Sequence, residues 1–472
     1  MLRKLVIAIA GLALLGTLGD GVPQADAAEL TVTHFQDPVP AACTAAHCTL
    51  REAVRQANAQ SNFDTIILGE GTYLLGTNPA TDNRDEDNAE SGDLDLYDGD
   101  VTIAGAGKNT TFIDAQQVDR LFDIFVSESC IDVTIQNLTL MNGKIRNADG
   151  GAIHNRCRLT LINVVIKDSE IRGSPADPTS GDGGGILNDI GAELTISGSS
   201  IKNNSATGGV NGEGGGIYNR QGEVSLSGST ISGNEVDDDG GGIFNNGTLS
   251  VTTSTISGNS SCCGGGINAN GGNTTITRST ISSNTTSPDY GGGIGNYAGS
   301  VMLINNSTIT GNSSANHVGG GIDNNGKLTI RNTTISHNTT LDAWGAITHS
   351  DSLGGFVRLK NSIVASNFVG SDCAGDPVTS QGFNLDSDGT CFTNSGTDVA
   401  GVNPQLGALL DHGGPTKTRA LPAGSPATDT GNNAGGCPLS DQRGEDRPKN
   451  GDGAGGARCD RGAFERQSVG VP

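Results

Sequence analysis

The string Gly-Gly-Gly-Ile occurs six times, with its Ile at 186, 217, 243, 267, 294 and 322, after a related Gly-Gly-Ala-Ile at Ile153. A second string, Ser-Thr-Ile-Ser-Gly-Asn or a close variant, follows each one. Aligned on it, the residues seven before its Ile are Leu159, Leu194, Val224, Leu249, Thr274, Met302, Leu328 and Val357. The steps are 35, 30, 25, 25, 28, 26 and 29 residues. A period near 25 residues with no helical pattern is the mark of a β-solenoid, whose turns bury their apolar faces only on one another.

Each unit carries apolar residues at offsets 0, 2 and 7, such as Val224, Leu226 and Ile231, then Leu249, Val251 and Ile256. A spacing of two puts the first pair on one face of a strand, with Ser225 or Ser250 facing out. Small residues before the third site allow a bend into another short strand. Val133, Ile135 and Leu140 fit the same offsets, and Val101 and Ile103 the first two, which makes ten coils ending at Val357, Leu359 and Val364.

Two Asn columns run through the repeat. One is Asn204, Asn234, Asn259, Asn284, Asn312, Asn338 and Asn367; the other is Asn155, Asn188, Asn219, Asn245, Asn296 and Asn324, broken by Ala269 and His349. Such columns either stack into amide ladders or present amides to a ligand, and their place at turn signals favours ladders. The glycine triplets supply left-handed backbone; no Gly-Lys-Ser/Thr follows that would make a phosphate loop.

Only 34% of residues are hydrophobic and 4% aromatic, while 73 are glycine. Without the regular apolar columns this composition would read as disorder. Met1 to Ala27 reads as a secretory leader, with Arg3 and Lys4, an apolar run over 5–18 and the cleavage site Ala25-Asp26-Ala27. No later stretch is apolar enough to span a membrane. Ten cysteines in an exported chain suggest disulfides, and neighbours in sequence suggest Cys43–Cys48, Cys130–Cys157, Cys373–Cys391 and Cys437–Cys459. The adjacent Cys262 and Cys263 form either a vicinal bridge or a pair of thiols.

The net charge of −23 argues against nucleic acid and anionic lipid as partners. Acidic residues gather over 82–100 and at Asp237-Asp238-Asp239. No cofactor is expected beyond a structural calcium, for which Asp93, Asp95, Asp237, Asp238 and Asp239 are the candidates; otherwise these are solvated loops. His154, His317, His337 and His349 fall in different coils, and Trp344 stands apart from Tyr218, Tyr290 and Tyr297. Tyr218 takes a site filled elsewhere by Leu187 and Phe244, so packing is its expected role. No catalytic residue is singled out: Gly-x-Ser-x-Gly and His-Glu-x-x-His are both absent.

Before Val101, one stretch is helical in pattern: Leu50, Ala53, Val54 and Ala57 share a face, as suits a cap on an open solenoid end. Cys48-Thr49-Leu50-Arg51-Glu52-Ala53 resembles the CSLREA domain of exported bacterial proteins, with Thr49 in place of Ser. After Val364 come Gly382-Phe383-Asn384-Leu385, Asn403-Pro404-Gln405-Leu406-Gly407, Gly413-Gly414-Pro415-Thr416 and Asp460-Arg461-Gly462-Ala463-Phe464-Glu465. These resemble the choice-of-anchor Q region of bacterial surface proteins, here without a Leu-Pro-x-Thr-Gly sorting string. The repeats resemble those of chlamydial polymorphic outer membrane proteins. The resemblances imply an all-β, right-handed parallel β-helix of the pectin-lyase-like type, with about ten coils and a short N-terminal helical cap. The expected layout is a leader over 1–27, a cap and first coil over 28–100, repeats over 101–367 and a C-terminal region over 368–472.

Many proteins of that type cleave acidic polysaccharides, so a lyase or hydrolase is the enzymatic alternative. Asp237-Asp238 matches one string of the polygalacturonase-like hydrolases, but Asn-Thr-Asp, Gly-His-Gly and Arg-Ile-Lys are missing. Arg158, Arg278, Arg331, Arg358 and Lys360 are scattered, giving no obvious lyase base. The expectation is a secreted or surface-located, non-enzymatic protein, an adhesin whose partner is an extracellular glycan or protein met across a flat Ser/Thr/Asn surface.

Overall fold

The computed structural model describes residues 29–37, 42–59, 64–76, 89–127, 129–173, 181–207, 212–288, 290–315, 318–341, 344–392 and 396–467. The leader lies outside them. One coil illustrates the rest. Ile217–Asn219 follows the glycine triplet; Glu223–Ser227 is the long strand; Thr230–Ser232 follows a tight bend; Glu235–Val236 returns the chain to the next triplet. Stacking repeats each segment into a parallel sheet: a glycine sheet of 11 strands, a long-strand sheet of 13, a Thr/Ser sheet of 13 and a short sheet of 8. The chain is a right-handed parallel β-helix.

The apolar columns stack as their spacing requires. Ile231 pairs in register with Ile201 on one side and Ile256 on the other, and all three are buried. Burying such a side chain stabilises by roughly 1.5–3 kcal/mol. The bend after the long strand holds Asn163, Gly198, Gly228 and Asn332 at positive φ, which Asn and Gly tolerate best. The triplet glycines answer to a second constraint. A Cβ on Gly216 would stand 2.5 Å from the Gly242 carbonyl oxygen of the next coil, so no side chain fits.

Both Asn columns are ladders. From Asn204 to Asn367 each amide nitrogen donates to the next Asn Oδ1, at 2.9–3.2 Å. The backbone N–H of each donates to that same oxygen. The amides are therefore turned inward and satisfied by one another. The second ladder runs from Asn155 through Asn188 and Asn219 to Asn245. It stops at Ala269, where Asn245 donates to Thr274 Oγ1 instead, at 3.2 Å. It resumes with Asn296 and Asn324 and closes on His349, whose Nδ1 lies 3.0 Å from the Asn324 amide nitrogen.

The stack extends past the ten coils of the repeat. Glu29–Val32 and Asp64–Leu68 add two strands before Val101–Gly105, and Thr379–Ser380 adds one after Phe356–Lys360. Thirteen strands at ~4.8 Å give a rod of roughly 58 Å. Helix α1 (Leu50–Asn58) opens with a capping box in which Thr49 and Glu52 satisfy each other's backbone N–H groups. Its buried face covers the N-terminal strands Glu29–Val32, Asp64–Leu68 and Leu94–Leu96.

The C-terminal chain turns back along the Thr/Ser sheet, which corrects the expectation of a long open Ser/Thr surface. Gln442 Nε2 donates to Thr280 Oγ1 at 2.8 Å, and Thr308 Oγ1 donates to Gln442 Oε1 at 2.6 Å. Arg419 Nε reaches Thr310 Oγ1, and the Ala463 N–H reaches Thr334 Oγ1. Thr280, Thr308 and Thr334 are buried in consequence, whereas Thr230 and Thr255 keep partial exposure. A buried ion pair, Arg447–Glu465 at 3.2 Å, helps to hold the returning chain.

Candidate functional site

The glycine sheet carries the most chemistry. In each of its strands the first and third residues point inward, so the middle one faces out. Along the stack these middle residues are Asp95, Asp123, His154, Leu187, Tyr218, Phe244, Asn268, Gly295, Asp323, Thr348 and Ala374, in continuous register. The row is charged at its N-terminal end, apolar in the middle and mixed polar and aromatic beyond. Leu187, Tyr218 and Phe244 form the apolar stretch, with Tyr218 and Phe244 edge to face at 5.2 Å. Tyr218 thus packs as expected.

Beyond Phe244 lies a cleft. Two cavities of about 380 and 410 Å³ share Tyr290, Tyr297 and Asn325 as walls. Asp323, Trp344 and His349 complete one; Asp239, Cys263 and Leu353 complete the other. Gly295 makes room for it: a Cβ there would lie 2.8 Å from Tyr297 Cε2, so the tyrosine ring occupies the middle place of that coil. Trp344 is 44% exposed and Tyr290 42%, which leaves ring surface open to a ligand. The expectation that Trp344 stands alone is corrected, because two coils of stacking bring it to Tyr290 and Tyr297.

The cleft holds polar groups out of water. The Tyr297 hydroxyl is buried against the Cys263 thiol; burial first, then Cys263, Asp323 and Asp239, push it up in pKa. One strand away, the Asn268 side chain is fully buried and neither its amide oxygen nor its nitrogen has a hydrogen-bond partner. Unmet polar groups of this kind cost about 1–3 kcal/mol each. Burial also raises the Asp323 carboxyl to about 7. The arrangement offers aromatic faces, hydrogen-bonding groups and a carboxyl that can carry its proton near neutrality.

The calcium candidates divide. Asp93 and Asp95 meet Asp123 in a buried group whose carboxylate oxygens lie within 4.8 Å of one another. Burial raises Asp93 well above the usual range. Arg120 already enters this group, 2.7 Å from Asp123 and 3.3 Å from Asp93, so a metal would compete with a fixed guanidinium. Asp237, Asp238 and Asp239 do not converge into a comparable group: Asp237 is exposed and Asp239 turns to the cleft. A third set, Asp372, Asp386 and Asp388, was not anticipated. Its oxygens accept from the Ser387, Cys391 and Thr390 N–H groups, which makes it a loop brace.

His154 joins the charged end of the row, with Nε2 3.2 Å from Asp189. Four cystines join Cys43 to Cys48, Cys130 to Cys157, Cys373 to Cys391 and Cys437 to Cys459. Cys262 and Cys263 lie outside these pairs with their sulfurs 3.5 Å apart. A further cavity of about 530 Å³ lies where the C-terminal chain meets the Thr/Ser sheet, lined by Thr255, Ser257, Thr280, Asp411 and Lys417. It has no aromatic wall. No helix among the described residues is long and apolar enough to cross a membrane.

Comparison with known proteins agrees with the fold. Residues 215–392 match the family described as a right-handed β-helix region. No curated protein sequence matches the chain. Among solved structures, the crystal structure of pectate lyase Pel9A is similar, with a TM-score of 0.48 and 16% identity over 93% of this chain and 96% of that one.

Proposed function

We propose that this chain is an exported β-helix protein that binds a glycan in the cleft of Tyr290, Tyr297 and Trp344. The observation that carries the reading is the convergence of three aromatic rings, two of them with open faces, beside the buried Asp323 carboxyl. Sugars offer apolar ring faces and dense hydroxyls, and such a cleft meets both needs. Four cystines and the leader pattern over 1–27 support an extracellular or cell-surface place. The CSLREA-like segment and the choice-of-anchor Q-like strings support the same setting, with the latter folded onto the solenoid. On this reading the chain binds without turnover and serves as an adhesin at the cell surface.

The test uses the chain's one tryptophan. Trp344 fluorescence should change on titration with a matching oligosaccharide. Tyr290→Ala should weaken binding about tenfold while thermal stability holds. An unchanged spectrum across neutral, acidic and amino glycans would sink the reading.

A hydrolase is the second reading, favoured by one observation. Asp323 is buried in the cleft with its carboxyl raised to about 7, as a general acid requires. New reducing ends released from a bound glycan, and lost in Asp323→Asn, would establish it.

A further inference from the structure

The charge around the cleft points to the kind of glycan it takes. Among the described residues lining its two cavities there is no lysine or arginine; the acidic ones are Asp239 and Asp323. The carboxylates continue upstream. Asp182, Glu213 and Asp239 each stand just before the first glycine of a triplet, and Glu213 bridges Asp239 in parallel register. Glu213 and Asp239 are thus one coil apart, ~4.8 Å, which is about the length of one pyranose unit in a β-1,4 chain.

The upstream end of this acidic row already holds a cation of the chain itself. Arg220 donates to Asp149 Oδ2 at 2.9 Å and to Asp182 Oδ2 at 3.0 Å, and its guanidinium lies 5.2 Å from the centre of the Tyr218 ring. Carboxylates plus an aromatic face are therefore how this sheet holds a positive group. The cleft repeats the combination with Asp239 and Asp323 beside Tyr290, Tyr297 and Trp344.

Resting on the glycan reading above, we infer that the cleft selects an amine-bearing glycan, a chain of N-deacetylated hexosamine units. Its ammonium groups pair with Asp239 and with Asp323, which gives up its proton to solvent as the ammonium arrives because an opposite charge favours the ionised form, and its ring faces lie on the exposed aromatic rings. An ammonium gains a charge-assisted hydrogen bond to each carboxylate and attraction to the ring faces. A neutral sugar gains neither. A uronate brings its own carboxylates against Asp239 and Asp323, and like charges side by side repel.

The test is Trp344 fluorescence with four tetrasaccharides at low salt: glucosamine, N-acetylglucosamine, glucose, each β-1,4-linked, and galacturonate. The glucosamine tetramer should bind at least tenfold tighter than its N-acetylated form, and galacturonate should bind weakest. Raising the salt should shrink that ratio, as it screens exposed charge. Asp323→Asn should bring the two affinities together, and Asp239→Asn serves the same comparison if the first variant does not fold. Equal or tighter binding of the N-acetylated or galacturonate oligomer overturns the amine preference while upholding a glycan site. Silence from all four overturns the glycan reading itself. A tetralysine peptide binding as tightly as the glucosamine tetramer would also overturn it, since the cleft would then be reading charge alone.

Discussion

Tyr297 lies across Gly295, with its Cε2 2.8 Å from the point where a Gly295 Cβ would stand. The neighbouring coils carry Asn268 and Asp323 at the same place, so the backbone accepts a side chain there; it is the ring that does not. Gly295→Ala should therefore shift Tyr297 and spoil the cleft without unfolding the solenoid. Glycan affinity should fall about fivefold, as befits losing one well-placed aromatic contact worth ~1 kcal/mol. Fluorescence titration alongside a melting curve checks both halves of the expectation.

Ala269 interrupts the second Asn ladder and leaves Asn296 Oδ1 buried without a hydrogen bond. Ala269→Asn should fill the gap, donating to Asn296 and accepting from Asn245. The expected gain is about 1 kcal/mol, seen as a higher melting temperature. A lower one would mean that the coil at Ala269 has no room for the amide.

Asn259 sits mid-ladder. Its Oδ1 accepts from the Asn234 N–H and amide, and its nitrogen donates to Ile231 O and Asn284 Oδ1. Asn259→Ala strands several buried groups at once and should cost about 3 kcal/mol or more. Chemical denaturation would measure it, and a change below about 1 kcal/mol would contradict the ladder's structural role.

Stability should fall as the pH rises through neutrality. Burial lifts Asp323 and Asp182 to about 7 and Glu213 to about 8, the last two aided by Asp149 and Asp182 respectively. In the unfolded chain these groups ionise near pH ~4. Between those limits the folded state holds protons that the unfolded state has released, so acidification favours folding. Melting temperature should be highest at the low end of this window and level off above about pH 8. Asp323→Asn should flatten the slope. A melting temperature that climbs steadily from acid to alkaline would refute the assignment.

Four cystines leave two of ten cysteines outside the pairs. Thiol titration of the exported protein, denatured but not reduced, should find two thiols or none, depending on whether Cys262 and Cys263 join. Eight or more would contradict an oxidising destination.

The fold was legible because each coil restates the same spacing. Val224, Leu226 and Ile231 needed only a count of residues to be placed inward, and the Asn columns declared their own stacking. The N-terminal helix was visible from Leu50, Ala53, Val54 and Ala57. The cleft was harder to see, because its walls come from loops of unequal length: Tyr290 precedes its glycine triplet, Tyr297 follows its strand and Trp344 closes a different coil. Only stacking converts those separations into contact. Nothing in the spacing of residues 409–465 signals that they return over Thr280 to Thr334. That path depends on long-range bonds such as Gln442 to Thr280. Asp123 escaped notice because its partners Asp93 and Asp95 lie a full coil earlier.

The returning C-terminal chain changes how the rod can come apart. A simple stack peels from its end, each coil released once its neighbour has gone. Here the last segment is fastened to coils in the middle, through Gln442 at Thr280 and Thr308 and Arg419 at Thr310. A pull on the C-terminus, such as a cell surface or flowing water would exert on a tethered protein, is therefore carried sideways into the body of the rod. The load is shared between the terminal coils, where Arg461 donates to the Asn384 carbonyl and the Gly462 N–H to that of Asn361, and the seam along the threonines further back.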